Sequence, residues 1–63
     1  MPIVELKILA GRDQQVKELL LEKVTKTVAE TLEIPQDRVR VLLYEIPPAH
    51  WAVGGTTAEK ARR

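Results

Sequence analysis

Cysteine and phenylalanine are both absent from this 63-residue chain, which has one histidine, one tryptophan and one tyrosine. Without cysteine there can be no disulfide and no thiolate metal site, and the usual framework of a small secreted domain is missing. His50 alone cannot build a histidine-rich metal centre, so neither a metal nor a cofactor is expected. No apolar run approaches the roughly 20 residues of a membrane span. Met1–Ala10 has no basic region followed by an apolar one. The reading is a cytoplasmic protein with no membrane partner. Ten basic residues against nine acidic ones leave a net charge of +1, which gives no support to a nucleic-acid partner. There is no glycine-rich phosphate loop, no histidine pair and no nucleophile–base–acid set.

The length allows one domain, residues 1–63. A chain this short buries only about 60% of its unfolded surface when it folds alone, and such chains need a disulfide, a metal or a partner subunit. With the first two excluded, self-association is the remaining support.

Alternation in Pro2–Leu9 sets Pro2, Val4, Leu6 and Ile8 on one face of a strand and Ile3, Glu5, Lys7 and Leu9 on the other. Gly11 offers a turn, and Asp13 is placed to cap a helix. Val16, Leu19, Leu20, Val24, Val28 and Leu32 then recur at helical steps over about 20 residues. Pro35 is expected to end that helix, because the residue before a proline avoids helical geometry. A second strand is expected over Arg38–Ile46. Val39, Val41 and Leu43 form one face; Arg40, Leu42 and Tyr44 form the other. Both faces are largely apolar, as in a strand covered on both sides. Pro47-Pro48 stops it. The tail, with Gly54-Gly55, reads as a turn or short hairpin with a basic end at Lys60, Arg62 and Arg63. The order strand–helix–strand predicts a parallel βαβ unit in the α/β class. One helix covers only one face of a two-stranded sheet, so the other face requires another chain.

Few residues can carry chemistry. A proline at position 2 is equally at home starting an edge strand, where its missing N–H costs nothing. Freed of Met1, though, it is a secondary amine. The α-amino group titrates near 8, well below lysine, and burial or cationic neighbours lower it further. A base poised near ambient pH suits proton transfer. Arg40 lies inside an apolar strand and must find an anion or carboxylate. In a parallel unit it starts strand two at the end where Pro2 starts strand one. Arg12 leaves strand one at the far end and can meet a proline site only across a subunit interface. Trp51 suits a core edge, a subunit contact or a substrate wall alike.

Pro2-Ile3, Ile8-Leu9-Ala10-Gly11-Arg12, Val39-Arg40-Val41, His50-Trp51, Gly54-Gly55 and Arg62-Arg63, at these spacings along the whole chain, resemble the 4-oxalocrotonate tautomerase family. The resemblance implies a β-α-β subunit in a hexamer, a trimer of dimers, with active sites at subunit interfaces. It implies that Pro2 is the general base that moves a proton between carbons of an unsaturated 2-hydroxy or 2-keto acid such as 2-hydroxymuconate. Arg12 matches the arginine that holds the distal carboxylate. Arg40 matches the arginine that polarises the 2-oxygen and near carboxylate from an adjacent subunit. Trp51 stands where the family more typically has phenylalanine, an aromatic wall that keeps the amine neutral. Pro47-Pro48-Ala49 is more rigid than the family pattern.

Three other readings are weighed against this one. A hydratase or dehalogenase of the same superfamily needs a carboxylate to activate water, and Trp51–Gly55 has none. A heterohexamer subunit would share duties between two chains, yet this chain carries Pro2, Arg12 and Arg40 together. A non-enzymatic oligomeric interaction domain would use the basic tail to bind an anion.

Overall fold

The computed structural model describes residues 1–62; of the basic end, Arg63 lies outside the described residues. The elements are β1 (Ile3–Leu9), α1 (Gln14–Leu32), β2 (Arg40–Ile46), β3 (Ala52–Val53), β4 (Thr56–Thr57) and α2 (Ala58–Ala61). Short 3₁₀ turns occupy Gln36–Arg38 and Pro48–His50. β1 and β2 pair in parallel, from Ile3 opposite Arg40 to Leu9 opposite Ile46. The βαβ unit is therefore as the alternation and helical spacing predict, and the tail does form a hairpin, β3 antiparallel to β4.

Asp13 caps α1 as expected, its side chain accepting the Val16 N–H at 3.2 Å. The helix stops two residues before the position that Pro35 would dictate. Glu33 turns left-handed at φ 56°, its N–H returning to the Glu30 carbonyl and that of Ile34 to Ala29 at 3.0 Å. This pairing satisfies the last free carbonyls of the helix. A non-glycine residue there bears a strain of roughly 1–2 kcal/mol, which is why the sequence did not signal it. β2 likewise starts two residues later than expected, because residues 36–38 coil into a 3₁₀ turn. The helix α2 was not anticipated; Thr57 caps it by accepting the Lys60 N–H at 3.2 Å.

α1 covers one sheet face. Val4, Leu6 and Ile8 of β1 and Val41 and Leu43 of β2 are half-buried beneath it, with Val39 and Ala29 buried. Lys17 of α1 meets Glu45 of β2 at 2.8 Å. Of the expected helix stripe, Val16, Leu19 and Leu32 turn out about half exposed, and Leu21, Thr25 and Ala29 take their place inward. The other sheet face is bare: Ile3 is 64% exposed, Leu42 44% and Tyr44 42%.

The shape follows. The chain measures 45 × 24 × 13 Å with a radius of gyration of 14.8 Å, where a compact chain of this length has about 10.6 Å. It exposes 5067 Å², against roughly 4,100 Å² for a compact monomer of this mass. The slab is two layers thick and lacks the third that would close its core.

Candidate active site

The parallel register sorts the candidate residues by sheet end. At the start of both strands the Arg40 N–H donates to the Pro2 carbonyl at 3.1 Å, so Pro2 and Arg40 are held together by backbone. Pro2 is half-buried. Met1, whose carbonyl acylates the proline nitrogen, is 80% exposed. The Arg40 side chain lies on the bare face, as the register partner of Ile3. Its Nη1 donates to the Asp37 carbonyl at 2.8 Å, a bond supplied by the 3₁₀ turn that shortens β2. The rest of its donor fork remains available for an anion.

The opposite end holds Arg12 and Trp51. The Ala10 N–H continues the ladder by donating to the Ile46 carbonyl at 2.9 Å, and Gly11, at φ 131°, turns the chain away. A depression of about 260 Å³ opens there, lined by Leu9, Ala10, Gly11, Arg12 and Arg62. Trp51 follows the 3₁₀ turn that leaves β2; it is half-buried, and its carbonyl accepts the Ala58 N–H at 2.7 Å. Seven residues of strand at about 3.3 Å each put some 20 Å between the two ends. Pro2 and Arg40 are thus brought together, whereas Arg12 and Trp51 are not brought to them within one chain.

Two features were not read from the sequence. Arg62 shares the depression with Arg12 because the hairpin and α2 fold the tail back over the exit of β1; the Gly54-Gly55 turn, with φ of 61° and 85°, was the visible half of that signal. On the bare face the Tyr44 hydroxyl donates to Glu5 Oε2 at 2.9 Å. That acceptor carboxylate raises the Tyr44 pKa above its ordinary value, through the hydrogen bond first and its charge second. Cross-strand alternation put both residues on one face without revealing that they meet.

A wider depression, about 590 Å³, lies along the outer flank of α1 between Gln15 and Glu22. It holds neither candidate base nor arginine, and its open apolar floor suits packing rather than chemistry. Among the described residues no group of histidine, cysteine, aspartate and glutamate is arranged to hold a metal. No helix among them is long and apolar enough to cross a membrane.

Known proteins resemble this chain along nearly its whole length. A family profile described as "Tautomerase enzyme" matches residues 2–61. A 2-hydroxymuconate tautomerase from Pseudomonas sp. (strain CF600) is 44% identical over 63 residues, spanning all of both chains. Among solved structures, TomN, a 4-oxalocrotonate tautomerase homologue of the tomaymycin biosynthetic pathway, superposes with a TM-score of 0.93 at 38% identity, covering 97% of this chain and 94% of that one. A subunit of the heterohexameric 4-oxalocrotonate tautomerase from Chloroflexus aurantiacus J-10-fl superposes at 0.89 and 30% identity, covering 95% and 97%.

Proposed function

The chain belongs to the tautomerase enzyme family, and from that membership we propose that Pro2, released by removal of Met1, is the general base of an isomerase acting on 2-hydroxymuconate and related unsaturated 2-keto or 2-hydroxy acids. From a dienol such as 2-hydroxymuconate its amine takes the 2-hydroxyl proton, and from an unsaturated 2-keto acid it takes a proton on the carbon next to the carbonyl. Either way the electron pair rests on the 2-oxygen as a dienolate, and the ammonium then gives the proton to a carbon of the conjugated system. Substrate and product have the same atoms, so no cofactor is called for. Arg40 stabilises the developing negative charge, because fixed cationic donors act most strongly where charge appears. Arg12 holds the distal carboxylate, and Trp51 walls the site from water so that the amine stays neutral.

The observation that carries this reading is the separation of the two sheet ends. The Arg40 N–H sits 3.1 Å from the Pro2 carbonyl, while Arg12 and Trp51 leave the sheet at the other end. A site that uses all four residues must draw them from different copies. The bare face beside Arg40 is the surface through which copies can meet. As the family resemblance implies, we propose a homohexamer, a trimer of dimers, of single-domain subunits (residues 1–63) in the cytoplasm as the working unit. One chain carries every required role, which favours a homo-oligomer over divided labour.

The test is ketonisation of 2-hydroxymuconate, a dicarboxylate, and of phenylenolpyruvate, a monocarboxylate, followed by ultraviolet absorbance and paired with mass spectrometry of the amino terminus. Protein lacking Met1 should turn over both substrates. Protein that keeps Met1 has an amide in place of the amine and should lose about 10²–10⁴-fold in kcat. Equal turnover by the two forms excludes proline as the base.

A further inference from the structure

β1 belongs to a sheet of two strands, so one of its edges has no strand beside it. The Pro2 carbonyl and the Ala10 N–H both serve the ladder to β2. Backbone groups alternate along a strand, so the even-numbered residues of β1 face β2. Ile3, Glu5, Lys7 and Leu9 therefore turn their N–H and C=O groups to the open edge, a template for a further strand. Their side chains stand on the bare face, where Glu5 and Lys7 are exposed. The Tyr44 hydroxyl holds Glu5 by Oε2 at 2.9 Å, and Lys7 is the register partner of Tyr44. The open edge of β2 lacks such a pair of charges. Its outward residues are Val41, Leu43 and Glu45, and Glu45 already meets Lys17 at 2.8 Å.

A second copy of β1 meets this edge antiparallel, about a two-fold axis. The axis decides which residues stand opposite each other. Centred on Glu5, the pairing sets Glu5 against Glu5 of the other copy. Centred on Lys7, it sets Lys7 against Lys7. Like charges directly opposite are destabilising. Centred on Leu6, it sets Glu5 against Lys7 twice, once on each side of the axis, and Ile3 against Leu9. Of the three, that register alone overlaps all seven residues of the strand, Ile3–Leu9. Charge at an open edge ordinarily repels other strands; here the order of charges admits one register.

Resting on the shared site proposed above, we propose that Glu5 and Lys7 are the residues by which β1 selects a second copy of itself and fixes the register centred on Leu6. In that register Pro2 faces Ala10 of the other copy, and Arg12 of that copy stands just beyond. A slip to either neighbouring centre would move Arg12 along the strand by about 7 Å relative to Pro2. The two charges thus decide whether the separated sheet ends complete each other.

The test exchanges the charges in protein lacking Met1. Both side chains are exposed, so the fold of the single chain does not depend on them. Lys7→Glu and Glu5→Lys each turn two opposite-charge contacts into like-charge ones. Each should weaken assembly about tenfold or more in sedimentation, less at high salt. Mixing the two variants should restore assembly, since each supplies what the other lacks, and so should the double variant Glu5→Lys/Lys7→Glu. Recovery in the double variant separates the contact between copies from the Tyr44 bond, which that variant loses. The register is read directly by Leu6→Cys, the only cysteine in the chain. On the axis two such residues stand about 4.5 Å apart between Cα atoms, within disulfide reach, and mild oxidation should link two chains. Single variants that assemble like wild type, no recovery on mixing, or an assembled Leu6→Cys sample that does not cross-link overturns the inference. None of these readouts uses substrate, so failure of the proposed function is distinguishable: wild type would assemble in this register and turn over nothing.

Discussion

The two ends of the β1–β2 sheet are built differently. At the amino-terminal end, Pro2 and Arg40 are locked by a ladder hydrogen bond and a 3₁₀ turn that accepts from the Arg40 guanidinium. Their placement is set by the parallel pairing of β1 with β2. At the carboxyl-terminal end, Arg12 and Trp51 stand on turns, and Arg62 arrives on a four-residue helix behind a two-stranded hairpin. An isolated hairpin is marginal in water, and Val53 at its tip is 77% exposed. One end comes preassembled by backbone; the other rests on turns and a marginal hairpin. Charge stabilisation needs a fixed donor, whereas holding a carboxylate that stays charged throughout tolerates a looser one.

The largest effect should come from keeping the ends apart. Leu42 lies on the bare face, 44% exposed, and contributes little to the core of its own chain. Leu42→Lys places a charge where another copy must pack. Sedimentation at micromolar concentration should show dissociation, and activity should fall by about 10³-fold or more, since the contributions of base and donors vanish together. Full activity in a dissociated Leu42→Lys sample would mean that one chain holds a complete site.

Next comes the contrast between the arginines. Arg40→Ala removes a preorganised donor and should reduce kcat about 10²–10³-fold. Arg12→Ala removes uniform binding and should act on KM, by about tenfold or more for a dicarboxylate, as for a charge-assisted hydrogen bond. Refolding the two variants together provides a sharper test. Arg40 and Arg12 of one chain lie some 20 Å apart, so under the proposed function they serve different sites. A mixed oligomer therefore contains some sites with both arginines intact, and its activity should exceed that of either parent. No recovery on mixing, with oligomers of normal size, would break the division between the ends.

Legibility in the sequence divides along the same line. The strand alternation, the Asp13 cap and the crossover length were local patterns, and they fixed which residues begin together: Pro2 beside Arg40, Arg12 far away. Local pattern failed where one residue defied its type, as when Glu33 adopted a left-handed conformation to stop α1 ahead of Pro35. It failed again for Val16, Leu19 and Leu32, whose apolar character is shared between their own sheet and surface left for another copy. Arg62 was read as part of a basic tail and of the family resemblance but not placed beside Arg12, because its position depends on the accumulated path of a hairpin and a short helix. No periodicity encodes such a path.

The smallest expected effect lies between the ends, on the bare face. Tyr44 is the only tyrosine, so absorbance near 295 nm during an alkaline titration reports it alone. Glu5 accepts a hydrogen bond from its hydroxyl at 2.9 Å and raises its pKa above the ordinary value. A folded-state pKa above the unfolded one means that the folded protein favours the phenol. The resulting stability is fully present below the ordinary value of about 10 and is lost as pH climbs through the raised one. Glu5→Gln keeps an acceptor but removes the charge, so Tyr44 should titrate at lower pH than in wild type. Covering the face with a second copy would desolvate the phenolate and raise the value further. Assembled wild type should therefore titrate above the dissociated Leu42→Lys variant, with Glu5→Gln lowering both. If wild type and Leu42→Lys titrate together while sedimentation shows one assembled and the other not, then Tyr44 stays in water in the assembly, and copies meet elsewhere than on this face.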